Sequence, residues 1–148
     1  MIAFTSATSG EGVTYVSNKI ASQLSTSSSG SAIYLSSADL RGGAWSGGPM
    51  REGAVPKIAW EDWRGRVANL RARYRYSIID CPSLSTGSDA LSLAPHMDGI
   101  VIVVAANETH KAQVANAERQ IQMVNGKVLG YLLNKRKYMV PDWLFKQL

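Results

Sequence analysis

Apolar and polar positions alternate between two periods along this chain, and the switches between them mark out its elements. Ile2 to Ser6 is a short apolar run that stops at Ser9-Gly10-Glu11-Gly12. Val16, Ile20 and Leu24 then recur at helical spacing, so the amino end reads as strand, glycine turn and helix. Ser25 to Ser31, nearly all Ser, Thr and Gly, predicts a loop, and Ala32 to Leu35 a second strand ending at Ser36-Ser37-Ala38-Asp39. The Gly- and Pro-rich stretch from Gly42 to Pro56 reads as a loop. Trp60, Trp63, Val67, Leu70 and Tyr74 mark one face of a helix whose remaining positions carry arginines.

Ser77 to Asp80 predicts a short buried strand ending in an acid, and Ala90, Leu91, Leu93 and Ala94 a short helix before Pro95. The continuous β-branched run Ile100 to Ala105 is the pattern of a parallel strand covered on both faces. Thr109 to Met123 follows as a helix, capped by Asn107 or Thr109 and closed near Asn125-Gly126. Val128 to Leu133 is the last strand, and Pro141 opens a terminal amphipathic helix with Trp143, Leu144 and Leu148. Strands alternating with helices imply an α/β fold with a doubly wound, five-stranded parallel sheet. With 148 residues and no internal repeat, residues 1–148 are expected to form a single domain.

Composition narrows this picture only at its edges. The apolar run Gly99 to Ala106 is far too short to cross a bilayer. Met1 leads directly into Ile2-Ala3-Phe4, with no basic stretch or cleavage site of a secretory signal. Cys81 is the only cysteine, which fits a reducing cytoplasm. The formal charge of +5 suits an anionic partner or a solubilising surface equally. Neither His96 nor His110 has a Cys or acid at ligand spacing, so no zinc pattern exists.

The chemistry gathers at the glycine turn. Backbone N–H groups of such a turn, with the helix N-terminus behind them, form a ready anion site. A full P-loop reads G-x-x-x-x-G-K-[ST]. Here Gly12 and Thr14 match, Ala7 stands at the first glycine and Val13 at the lysine. Asp80, at the end of an apolar strand and before Cys81-Pro82, stands where a Walker B aspartate would hold magnesium through water. Losing the lysine's contact to phosphate costs about 1.5–3 kcal/mol, roughly ten- to a hundredfold in affinity. Lys19 lies about 9 Å further along the helix and on another face, so it does not replace it.

Together these segments resemble the bacterial tyrosine kinases of capsule and exopolysaccharide synthesis, relatives of MinD and ParA. The family's Walker A segment reads like S-x-x-x-G-E-G-K-[ST], and here stands Ser6-Ala7-Thr8-Ser9-Gly10-Glu11-Gly12-Val13-Thr14. Its Walker A′ segment ends D-x-D-x-R, against Ser37-Ala38-Asp39-Leu40-Arg41. Its Walker B region resembles Leu70 to Pro82, and segments Asp89 to Gly99 and Val128 to Asn134 look like the family's later ones. Val140-Pro141-Asp142-Trp143-Leu144 is similar to members linked to exopolysaccharide clusters.

The resemblance implies a shortened P-loop NTPase fold of the MinD type. It implies nucleotide contacts from Gly10, Glu11, Gly12, Val13, Thr14 and Asn134, whose family counterpart lies near the adenine. Thr14 and Asp80 become the magnesium ligands, and Asp39 and Asp80 the catalytic candidates. The departures point the other way. Val13 removes the lysine, Ser37 removes the first Walker A′ acid, and the stretch from Asp39 to Asp80 is shorter than the family's. Set against the family, the expectation is also of no tyrosine-rich tail, with Tyr138 alone near the end, and of no amino-terminal extension carrying the oligomerisation motif.

The expectation is a pseudo-kinase binding ATP and magnesium weakly at best. Its partner would be the cytoplasmic segment of an inner-membrane polysaccharide co-polymerase, at the cytoplasmic membrane face. No nucleic acid is expected, and a homo-oligomer stays open. The alternatives are a divergent, active ATP-dependent tyrosine kinase and a MinD- or ParA-like positioning protein. The arginines Arg64, Arg66, Arg71, Arg73 and Arg75 read as a solvated face or a contact for acidic partners, and Lys135-Arg136-Lys137 beside Trp143 and Phe145 as an exposed turn or a contact for a membrane surface or a partner's cytoplasmic tail.

Overall fold

The structure, a computed structural model, describes residues 1–27, 31–40 and 63–135. The predicted loop from Gly42 to Pro56, Trp60, Arg41, Tyr138 and the helix opened by Pro141 lie outside the described residues.

Five strands form one parallel sheet: β1 (Ile2–Ser6), β2 (Ala32–Ser36), β3 (Tyr76–Asp80), β4 (Gly99–Ala105) and β5 (Val128–Asn134). Their order is β2-β3-β1-β4-β5, so the Asp80 strand lies directly beside the glycine-turn strand. The helices are α1 (Val13–Ser27), α2 (Ser37–Leu40), α3 (Trp63–Arg73), α4 (Asp89–Leu93) and α5 (Lys111–Met123).

Alternation along the strands divides the core between two faces. Val16 and Ala21 of α1 pack on Phe4, Ile78 and Val103 on one face. Val67 and Leu70 of α3, Ala90 of α4, and Ala117 and Ile121 of α5 pack on the other, against Ala3, Ile79, Ile100 and Ile102. Ile78, Ile79, Ile100, Ile102 and Val103 are almost wholly buried. This two-sided cover is what allows the polar-free run Ile100 to Ala105.

Several boundaries differ from the sequence expectation for local reasons. Helix α1 continues through Ser25 to Ser27, where a loop was expected. Small hydroxyl residues are tolerated in a last helical turn by bonding back, and Thr26 Oγ1 donates to the Ser22 carbonyl at 3.0 Å. Ser37 to Leu40 forms one helical turn instead of trailing off the strand, fixed by reciprocal bonds between Ser36 and Asp39. Helix α5 begins at Lys111, not Thr109, because His110 takes the cap and its N–H donates to Gln113 Oε1 at 2.9 Å. Its end matches: Asn125 adopts φ 59° and the Gly126 N–H returns to the Ile121 carbonyl. Arg66 is buried, not part of a solvated face. Its Nη1 donates to the carbonyls of Asp39 and Leu40 at 3.0 and 3.1 Å, tying α3 to the end of α2.

Candidate functional site

The carboxyl ends of β1 and β3 flank the turn that feeds α1, where ligands bind in open α/β sheets. The turn needs glycine twice. Gly10 and Gly12 hold φ +85° and +87°, and a Cβ on Gly12 would meet Asn134 Nδ2 at 2.3 Å. Asn134 crowds this point because its side chain donates to the Glu11 carbonyl at 2.9 Å, joining the end of β5 to the turn.

Glu11 is the keystone of the turn and is only 2% exposed. Its Oε2 accepts the Thr8 N–H at 2.9 Å, and its Oε1 accepts the Thr109 hydroxyl. Thr109 in turn accepts the Ala105 N–H at 3.1 Å. A buried carboxylate is stable only with such donors. Glu11 thereby binds the turn to the end of β4.

The open cleft over the turn has a volume of about 380 Å³. Ser9 to Thr14 form one wall, and Cys81, Pro82, Ser83 and Thr86 the other. Backbone amides and the start of the 15-residue α1 give it an anion-attracting end. Among the described residues no lysine or arginine lines it, and Val13 stands at the mouth of α1. Lys19 stacks over the Tyr15 ring, 5.8 Å from its centre, on an exposed stretch of α1.

The structure brings Thr14 and Asp80 together. Thr14 Oγ1 donates to Asp80 Oδ2 at 2.7 Å. Tyr34, which sequence reasoning missed, donates to the same oxygen at 2.9 Å. Burial, reinforced by the Asp80 charge, holds the Tyr34 phenol well above its ordinary range, so it remains a donor. The strand register accounts for the contact: Tyr34 pairs with Ile78, two residues before Asp80, and so faces the same helix.

Asp39 is not gathered into this pair. Its Oδ2 accepts both the N–H and the hydroxyl of Ser36, at 2.9 and 2.6 Å. Ser37, at the first Walker A′ position, is buried and donates to Asp89 Oδ2 at 2.6 Å. Gly10, Glu11, Gly12, Val13 and Thr14 all line the cleft, whereas Asp80 does not.

Backbone amides suit the turn to a phosphate. Thr14 and Asp80 are hard oxygen donors, the right chemistry for magnesium. A magnesium ion at this point would have to compete with two hydroxyls, because Asp80 Oδ2 already accepts from both Thr14 and Tyr34.

This geometry defines a P-loop NTPase-type α/β fold with a lysine-free glycine turn at the head of α1. No family description matches the chain. It is a relative in sequence of bacterial tyrosine-protein kinases and shares the fold of their kinase domains. Against CapB of Staphylococcus aureus, a tyrosine-protein kinase by name, it is 36% identical over 88 residues, covering 60% of this chain and 39% of CapB. Against the succinoglycan biosynthesis transport protein ExoP of Rhizobium meliloti (strain 1021), it is 35% identical over 69 residues, 47% of this chain and 9% of ExoP. The chain thus spans well under half of these relatives. The chimerical protein CapA2B2 superposes with a TM-score of 0.71 at 18% identity, covering 93% of this chain and 76% of that one. The kinase domain of the Escherichia coli tyrosine kinase ETK gives 0.69 at 17% identity, with 95% and 70% covered.

Proposed function

We propose that this protein is a catalytically degenerate relative of the bacterial tyrosine kinases. In this reading it serves as a regulatory partner of a membrane polysaccharide co-polymerase, docked on that protein's cytoplasmic segment. The observation that carries the proposal is the cleft itself: its turn is held in shape by Glu11, Gly12 and Asn134, yet Val13 occupies the position of the phosphate-binding cation. Phosphoryl transfer depends on positioning and charge neutralisation, so this loss weighs more on catalysis than on binding. The commitment of Ser37 to Asp89 and of Asp39 to Ser36 supports the same reading. The link to polysaccharide rests on relatives such as ExoP, named for succinoglycan biosynthesis transport.

A fold kept without its chemistry is kept for its surface. Arg73 is exposed in the last turn of α3, and Arg75 lies over the Tyr76 ring at 5.6 Å, which supports a basic, aromatic docking face. Arg71 serves a second purpose, since it pairs with Asp98 at 2.7 Å. The test is a pull-down with the co-polymerase's cytoplasmic segments, comparing wild type with Arg73→Glu and with Trp143→Ala, whose site lies outside the described residues. Both variants should bind less while keeping their circular dichroism. Wild-type binding by both would overturn the docking site.

The contact between Thr14 and Asp80 favours a second reading, a divergent active tyrosine kinase. Incubation with labelled ATP and mass spectrometry separates the two. Phosphotyrosine that disappears in Asp80→Asn would establish the enzyme and end the first proposal.

A further inference from the structure

The aspartate at the end of β3 is held from behind, by a residue on a neighbouring strand that no P-loop motif includes. Asp80 Oδ2 accepts Thr14 Oγ1 at 2.7 Å and the Tyr34 hydroxyl at 2.9 Å. A carboxylate oxygen offers two lone-pair sites, so this oxygen is filled. Asp80 is 9% exposed and does not line the phosphate cleft, although Thr14 before it and Cys81 after it do. The strand register explains the reach. Tyr34 lies beside Ile78 and Ser36 beside Asp80, so a tyrosine two residues back on β2 extends diagonally to the acid under the cover of α1.

We infer that Tyr34 is a positioning residue that holds the Asp80 carboxylate away from the cleft, leaving the phosphate turn to act without a divalent cation. The inference rests on reading Ser9 to Thr14 as a phosphate turn, and extends it by assigning the metal position a built-in occupant. A divalent ion entering beside Thr14 competes with the Thr14 and Tyr34 hydroxyls for the Asp80 carboxylate. A phosphate held by backbone amides meets no such competition. The ligand class that follows is a phosphate or diphosphate group taken without magnesium.

The probes are manganese, as a spectroscopic stand-in for magnesium, and inorganic pyrophosphate. Manganese is titrated into wild type, Tyr34→Phe and Tyr34→Phe/Asp80→Asn, alone and with pyrophosphate, and read by electron paramagnetic resonance. Pyrophosphate without metal is titrated by calorimetry, and thermal melts confirm folding. Freeing a carboxylate from one charge-assisted hydrogen bond should tighten manganese binding about tenfold or more in Tyr34→Phe. That gain should vanish in the double variant, and the metal-free pyrophosphate affinity should not change. A structural effect alone would lower the melt without raising manganese affinity. Manganese binding that is equal or weaker in Tyr34→Phe, with or without pyrophosphate, overturns the inference. Absence of metal-free pyrophosphate binding in both proteins would instead overturn the phosphate-turn reading, while the manganese comparison still decides the role of Tyr34.

Discussion

Restoring a lysine at position 13 tests the reasoning about the cleft most directly. Val13 opens α1, half-buried, with one side against the apolar layer under the helix and the other lining the cleft. The stem of Val13→Lys can retain much of the apolar contact, since lysine packs its methylenes and leaves its ammonium in water. A cation at a helix N-terminus opposes the helix dipole and costs about 0.3–1 kcal/mol of stability. Against this, one charge-assisted contact to phosphate is worth about 1.5–3 kcal/mol. At about 1.4 kcal/mol per factor of ten, Val13→Lys should bind pyrophosphate roughly ten- to a hundredfold more tightly than wild type. Val13→Met supplies a long side chain without the charge and should stay at the wild-type level. Calorimetry at low and moderate salt is the assay, and the gain should shrink as salt rises. Equal affinity for Val13→Lys and Val13→Met would refute the claim that missing charge, rather than a misshapen turn, limits phosphate binding.

Other expectations follow from single contacts. Gly12→Ala forces a positive φ on a side chain and drives Asn134 off the Glu11 carbonyl, so it should cost about 2 kcal/mol in urea unfolding. Glu11→Ala leaves the half-buried Thr8 N–H and Thr109 hydroxyl without their acceptor and should cost about 2 kcal/mol, lowering the melting temperature by several degrees. The Arg71 guanidinium holds the Asp98 carboxyl below the ordinary carboxylate range. Its stabilising effect is therefore present above the unfolded value and fades as pH falls through the folded one. Carboxyl titration by NMR should show Asp98 moving up in Arg71→Ala, with only a slight change in acid stability because the pair is exposed.

The sheet was legible because its signals are local and redundant. Ile100 to Ala105 has no polar residue to place, and the glycine turn can serve only between a strand and a helix. The cleft was half legible, since Gly12, Thr14 and Asp80 stand at motif spacing. What escaped was long-range pairing. Ser37 meets Asp89 across 52 residues, Tyr34 meets Asp80 across 46, and Thr109 meets Glu11 across 98. No periodicity records such partners. Arg66 misled for the opposite reason, because an arginine among arginines reads as solvated until a carbonyl pair claims it.

The way Glu11 joins the turn to the sheet has a consequence for how this chain can change. The residues that keep the cleft in shape (Glu11, Gly12, Thr109 and Asn134) answer to one another and to the strand ends, not to any ligand. Val13 answers only to what enters the cleft and to a soft apolar layer. Selection for folding alone thus preserves the frame while leaving the charge free to drift. One substitution at position 13 can therefore change the charge of the cleft at a stability cost of about 1 kcal/mol or less, and the reverse step is equally short. The shape of the cleft and the charge inside it are thus separable properties of this chain.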